Sequence, residues 1–168
     1  MHLSVEQTYP ASVEDVAAML ADESFVRWRA ERTTGTGTVD QADVDPGTDG
    51  GFTVLVRRTL PTSLIPAQAR PFVGARLEVR QAEVWEAPRG DRRYGTVALE
   101  ITGAPVRLTG TISLEPLPEG GTRLAYTGEV RATVPLFASV VEEATAGTVR
   151  STLAAEELAG RDWLAGVR

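Results

Sequence analysis

The stretch YPASVEDVAAMLADESFVRW, from Tyr9 to Trp28, marks a change from a strand to an amphipathic helix. The residues from His2 to Tyr9 alternate between apolar and polar character, which predicts a strand that Pro10 ends. Ser12 then stands at an N-cap position, with an acidic residue three positions later. Apolar residues recur after it at helical spacing, so the sequence predicts a helix from Ser12 to about Ala21.

A second short helix is predicted from Glu23 to Arg32, with Phe25 and Trp28 turned inward. Large aromatic side chains are more often packing anchors than ligand platforms. We therefore interpret Trp28 and Trp85 first as anchors of the core.

From Thr33 onward the pattern becomes that of antiparallel strands joined by Gly- and Pro-containing turns. The most regular alternation predicts a sheet with one apolar and one solvated face. In one strand the apolar parity shifts between Val79 and Ala82, which predicts a β-bulge or a change of face. The predicted strands are an irregular edge strand at 33–45, then 52–60, 75–88, 94–103, 106–117 and 122–133.

The last segment predicts one long helix from about Leu136 to Leu164, with Gly147 and Gly160 as weak points. Its inward stripe is predicted to hold Phe137, Val140, Val141, Ala144, Thr148 or Val149, Leu153 and Leu158. The fold class is therefore α+β: a curved antiparallel sheet of about six to seven strands around a long C-terminal helix, with two short helices after the first strand. Such a sheet leaves a cavity under the helix.

The order of elements resembles the START-like or Bet v 1-like helix-grip superfamily, which includes polyketide cyclases, aromatases and lipid-transport proteins. The residues that carry the resemblance are Pro10, Ala11, Ser12, Asp22 and Trp28. The RWRAER segment and the VPLF sequence before the last helix are similar to an uncharacterised actinobacterial branch, domain of unknown function family 2505. The resemblance covers residues 1–168 and implies one helix-grip domain with a hydrophobic cavity. It does not imply an activity, because this scaffold carries several functions.

Composition excludes several classes of function. The net charge of −6 argues against nucleic acid as a partner, and the pairs Arg57-Arg58 and Arg92-Arg93 are expected on solvated strand faces or in a turn. There is no cysteine, so thiolate catalysis and thiolate metal sites are excluded. No segment reads as a signal peptide or a membrane span, and we expect a cytoplasmic protein.

No convincing catalytic or metal site emerges, and no cofactor is expected. His2 is the only histidine and lies beside the initiator methionine, a poor position for a general base. An acidic group could bind calcium, but its spacing is not that of an EF-hand, and a solvated acidic loop is the better interpretation. That group contains Asp40, Asp43, Asp45 and Asp49.

The predicted ligand-binding residues face the inside of the sheet and the last helix. Gly110 and Gly128 interrupt inward apolar rows on neighbouring strands, which indicates either room for a ligand or relief of strain where the sheet coils. Tyr126 could offer its hydroxyl to the cavity or bond to a backbone carbonyl. The predicted cavity residues are Val54, Val56, Leu99, Leu108, Gly110, Ile112, Tyr126, Gly128, Phe137 and Val141.

The leading hypothesis is binding, for carriage or sensing, of a small hydrophobic molecule such as a lipid, polyketide or isoprenoid. One alternative is an enzyme of the cyclase or aromatase kind, in which Tyr126, Gln7 or Glu83 would act as acid or base. Another is a protein-interaction module that binds another chain through the groove or through the exposed edge near Thr33–Asp45. The Pro-rich segment from Leu64 to Val73 could act as a lid or cover the cavity mouth.

Overall fold

Seven antiparallel strands form one sheet in a computed structural model that describes residues 1–65, 67 and 70–167. The spatial order β1-β7-β6-β5-β4-β3-β2 places the first strand beside the last. The predicted α+β fold with six to seven strands is confirmed. The strands are β1 (His2–Tyr9), β2 (Thr38–Pro46), β3 (Phe52–Leu60), β4 (Leu77–Trp85), β5 (Arg93–Thr102), β6 (Val106–Pro116) and β7 (Thr122–Ala132).

Two short helices follow β1, as predicted. Helix α1 spans Val13–Leu20 and α2 spans Glu23–Thr33. Each has a side-chain cap: the Asp15 amide donates to Ser12 Oγ at 3.1 Å, and the Ser24 amide donates to Asp22 Oδ1 at 2.9 Å. These caps satisfy amides that the first helical turn leaves unpaired.

Helix α3 (Ala138–Leu164) runs for 27 residues, about 40 Å at 1.5 Å per residue. It begins two residues later than predicted because Leu136 has a φ of 65°, a left-handed conformation that an α-helix cannot include. Gly147 and Gly160 do not interrupt it.

The inward stripe of α3 differs from the predicted one at Val140, which is 40% exposed, and again in its second half. Leu158 was predicted to face the core but is 64% exposed, whereas Glu156 is buried. The apolar pattern missed this face because a charged residue occupies an inward position. Helix α3 packs on β1, β7 and α2, and Trp163 near its end contacts the rings of Phe25 and Trp28.

The predicted bulge or change of face in the fourth strand is wrong. β4 pairs with β3 and β5 in continuous register from Leu77 to Trp85. Its inward row simply includes two polar residues, Gln81 and Glu83, after Leu77 and Val79. The apparent change of parity is therefore a change of chemistry on one face, and the irregular register lies in β2 instead, between Val39 and Gln41.

Arg58 and Arg93 are buried, so the prediction that they lie on solvated strand faces or in a turn is wrong. Arg58 points inward from β3, and Arg93 is held by Glu14 of α1, with an Nη2–Oε2 distance of 2.9 Å.

The acidic group is not a single loop: Asp40, Asp43 and Asp45 lie on edge strand β2, and only Asp49 lies in the following turn. Of the proposed lid, Pro66, Gln68 and Ala69 lie outside the described residues.

Candidate functional site

A cavity of about 180 Å³ lies between the first two thirds of α3 and the concave face of the sheet. The sheet closes against α3 at β1 and β7, so the space opens beneath the helix on the side of β3 to β6. Its wall is mainly apolar, as expected of a site for a small organic molecule. The apolar residues that line it include Leu3, Leu60, Leu77, Val79, Val97, Leu99, Ile101, Val106, Leu108, Val134, Val141, Val149 and Leu153.

Three connections at the same end of the sheet form the cavity mouth. Ile65, Phe72 and Val73, from the segment between β3 and β4, line the cavity. The Gly74 amide donates to the Gly103 carbonyl at 2.9 Å, which ties this segment to the β5–β6 turn. The Phe72 ring also lies 6.3 Å from the ring of Phe137, just before α3. The described part of the predicted lid therefore forms part of the cavity wall, and its role as a lid or a cover stays a prediction.

Polar groups gather at the opposite, inner end, where Arg58, Gln81, Tyr126 and Glu156 line the cavity. Arg58 Nη2 donates to Glu156 Oε1 at 3.2 Å, and Arg29 Nη1 lies 3.5 Å from Glu156 Oε2. We call Arg29, Arg58, Glu83 and Glu156 the ionic network. It links α2, β3, β4 and α3.

Glu83 forms the second half of the ionic network. Its Oε1 lies 4.0 Å from Arg29 Nη2 and accepts from Gln81 Nε2 at 2.9 Å. Its Oε2 accepts from Trp85 Nε1 at 3.2 Å. These partners offset part of the cost of burying a carboxylate away from water.

The charges of the ionic network reinforce one another. Burial acts to lower the pKa of Arg29, but the carboxylates of Glu156 and Glu83 outweigh it and raise the pKa above its usual value. Two arginines face two glutamates, so the network carries no net charge when all four are ionised.

Tyr126 is the polar residue that joins the inner end to the apolar wall. It is 5% exposed, and its hydroxyl has no hydrogen-bond partner within the described residues. Burial raises the pKa of Tyr126 well above its usual value of 10.0, and the Glu83 carboxylate adds to the rise. The hydroxyl is therefore neutral and has a hydrogen bond to offer.

Half of the predicted cavity residues lie on the cavity wall: Leu99, Leu108, Tyr126, Gly128 and Val141. The other half lie elsewhere. Val54, Val56 and Ile112 are buried among core side chains, and Phe137 packs on Phe72 at the mouth. Gly110 faces Gly128 across the β6–β7 ladder.

Close contact between β6 and β7 leaves no room for a side chain at Gly110 or Gly128. A Cβ on Gly110 would lie 2.3 Å from the Thr127 carbonyl oxygen, and one on Gly128 would lie 2.5 Å from that of Thr109. Both distances are prohibitive, so no side chain fits where β6 and β7 approach. This geometry favours the interpretation that the sheet coils here.

Sequence reasoning missed Arg29, Arg58 and Glu156, and it considered Glu83 without its partners. Charged residues are usually exposed, so neither the helix nor the strand pattern assigns them inward. One signal was present: Gln81 and Glu83 sit in phase with Leu77 and Val79. A charge in phase with an apolar row indicates an inward partner of opposite charge.

Residues 4–164 match the family described as "Protein of unknown function (DUF2505)". The chain belongs to this family. Among its relatives is the uncharacterized protein Rv0481c of Mycobacterium tuberculosis, with 28% identity over 138 residues, 80% of this chain and 79% of that protein. The same identity and coverage hold for the uncharacterized protein Mb0491c of Mycobacterium bovis. The predicted resemblance to an actinobacterial branch is confirmed.

Solved structures place this DUF2505 chain among START-like folds. It superposes on the ZhuI aromatase/cyclase from Streptomyces sp. R1128 with a TM-score of 0.60 and 16% identity, covering 95% of this chain and 90% of that one. A START superfamily protein from Mycobacterium smegmatis matches with a TM-score of 0.53 and 16% identity, covering 95% of each chain. At these identities the likeness concerns the fold.

Among the residues that the structure describes, none of the helices combines the length and apolar character needed to cross a membrane.

Proposed function

We propose that this DUF2505 protein binds a small hydrophobic molecule in the cavity, for carriage or sensing. The observation that carries the proposal is the cavity itself: an apolar wall beneath α3, a mouth formed by connecting segments and a few polar groups at the inner end. Ligand sites have this composition because apolar contact supplies affinity and sparse polar groups fix orientation.

The size of the cavity limits what it encloses. An apolar cavity of about 150 Å³ accommodates benzene, and this one measures about 180 Å³. It therefore encloses one ring or a short branched chain. A longer lipid, polyketide or isoprenoid would extend through the mouth past Phe72.

A second candidate is an enzyme of the cyclase or aromatase kind. It is supported by the fold shared with an aromatase/cyclase and by the neutral hydroxyl of Tyr126 on the cavity wall. Of the three residues considered from sequence, Gln7 donates to the Leu153 carbonyl at 2.6 Å and accepts from Tyr9, and Glu83 is occupied by Gln81 and Trp85. Tyr126 is thus the candidate acid, and loss of any turnover in Tyr126→Phe would support this reading over simple binding.

Native mass spectrometry of protein purified from its own host tests the binding function. We expect a co-purifying mass that organic extraction removes. Ala144 of α3 lines the cavity, so Ala144→Phe fills it and should abolish the co-purifying mass. Ala154 is exposed on the same helix, so Ala154→Phe is the matched control and should retain it. Equal retention in both variants would contradict binding in this cavity.

A further inference from the structure

Three polar atoms at the inner end of the cavity are buried and lack hydrogen bonds within the described part of the chain. They are Tyr126 Oη, Arg58 Nε and Glu156 Oε2, and all three belong to cavity-lining residues. Glu156 Oε2 has an ionic contact only, 3.5 Å from Arg29 Nη1. Buried polar atoms in proteins are nearly always satisfied, so atoms left open beside a cavity point to a group that enters it.

The charge balance of the ionic network decides what that group can be. Each glutamate already has an arginine partner, and each arginine has a glutamate. A ligand carboxylate would add a third negative charge beside Glu156, and a ligand ammonium would add a third positive charge beside Arg58. Either would be buried without a counter-charge, which is costly.

We propose that the inner end of the cavity binds a neutral oxygen, a hydroxyl or a carbonyl, at the end of an otherwise apolar ligand, with Tyr126 Oη as the hydrogen-bond donor. This inference rests on the proposed binding function and names the class of ligand. The phenolic hydroxyl fits the role because its raised pKa keeps it protonated. Tyr126 is then the residue that selects the ligand, and the ionic network holds the surrounding field neutral.

Three probes with one apolar body test the proposal: propylbenzene, 4-propylphenol and 4-propylbenzoate, titrated calorimetrically at pH 7. We expect 4-propylphenol to bind about threefold to tenfold more tightly than propylbenzene, the effect of one buried hydrogen bond. The benzoate should bind more weakly than either. In Tyr126→Phe the ratio of the Kd of propylbenzene to that of 4-propylphenol should fall close to one.

Tyr94→Phe is the matched control because Tyr94 is a half-buried tyrosine on β5 that does not line the cavity. It should leave the preference unchanged. Thermal unfolding of free Tyr126→Phe checks that the variant folds. Its Tm should be no lower than that of the wild type, since the lost hydroxyl has no partner.

The outcomes separate the two proposals. Equal binding of propylbenzene and 4-propylphenol overturns the neutral-oxygen inference and leaves hydrophobic binding intact. Tightest binding of the benzoate overturns it as well, because the anion would then have displaced Glu156 from Arg58. If no probe binds, propylbenzene included, the proposed function fails and the inference fails with it.

Discussion

Gly160 allows α3 to lie directly against the ring of Tyr9. A Cβ at this position would be 2.5 Å from Tyr9 Cε1, and the Tyr9 ring is buried. We expect Gly160→Ala to destabilise the protein by up to about 2 kcal/mol, since overpacking costs about 1–3 kcal/mol and the gain in helix propensity offsets about 1 kcal/mol. Urea unfolding followed by circular dichroism measures the change.

Gly147 is the matched control on the same helix. A Cβ there would meet nothing within 4 Å. Gly147→Ala should therefore stabilise the protein by up to about 1 kcal/mol, through helix propensity alone. Changes of the same sign in the two variants would contradict the proposed contact between Gly160 and Tyr9.

At the scale of single residues, the sequence predicted part of the apolar cavity wall and missed most of the buried charges. Leu99, Leu108 and Val141 were assigned to the cavity by period alone. Arg58 was assigned to solvent because a strand pattern does not reveal whether a charged residue has a buried partner 98 positions away. Such pairing depends on tertiary contacts between distant segments.

At the scale of elements, Glu142 ties the N-terminal half of α3 to β7. Its Oε1 accepts from the Ala132 amide at 3.0 Å, and this hydrogen bond lowers the pKa of Glu142 below its usual value of 4.5. A lowered pKa in the folded state means that the carboxylate stabilises the protein above pH 4.5. That contribution is lost as the pH falls through the folded-state pKa.

We therefore expect Glu142→Gln to lower the free energy of unfolding at pH 7 and to make little difference near pH 3. Denaturant titrations of both proteins across this range measure the change. Glu143, the exposed neighbour on α3, supplies the control Glu143→Gln. If the loss of unfolding free energy in Glu142→Gln were as large at pH 3 as at pH 7, the charge of Glu142 would not be the source of the stabilisation.

Elements with a local start signal were predictable from sequence. Ser12 and Asp22 cap α1 and α2 through contacts within three residues, so the sequence alone places both helices. The start of α3 was predicted too early because nothing in the local pattern requires Leu136 to adopt a positive φ. β4 was misread because its inward polar residue Glu83 faces Arg29 of α2, a partner that local sequence does not reveal, and Gln81 donates to Glu83.

At the scale of the whole molecule, the ionic network joins four elements around the inner end of the cavity. We expect Glu156→Gln to destabilise the protein by about 3 kcal/mol, because Arg29 and Arg58 would both lose a buried counter-charge. Guanidinium unfolding at constant pH measures the loss. The same chemical change at an exposed pair, Asp162→Asn opposite Arg32, should cost less than about 1 kcal/mol.

Comparable losses of unfolding free energy in the two variants would show that burial of the network does not contribute to stability.

The fold was predictable as a whole because element order and apolar period suffice to define a sheet wrapped around a helix. The cavity followed from that shape. Its polar inner end did not, since it assembles side chains from residues 29 to 156. Two statements stay predictions: residues 1–168 form one domain, and the predicted cavity residues bind a ligand.

The acidic edge strand β2 bears on how concentrated solutions of the protein behave. The edge carries Asp40, Asp43 and Asp45, and its Val44 amide is already engaged by Glu23 of α2. Two molecules that met edge to edge through β2 would bring six carboxylates together, a repulsion that opposes strand pairing at neutral pH. Acid or high salt would weaken this repulsion. Storage in neutral buffer of low ionic strength should therefore keep the molecules apart.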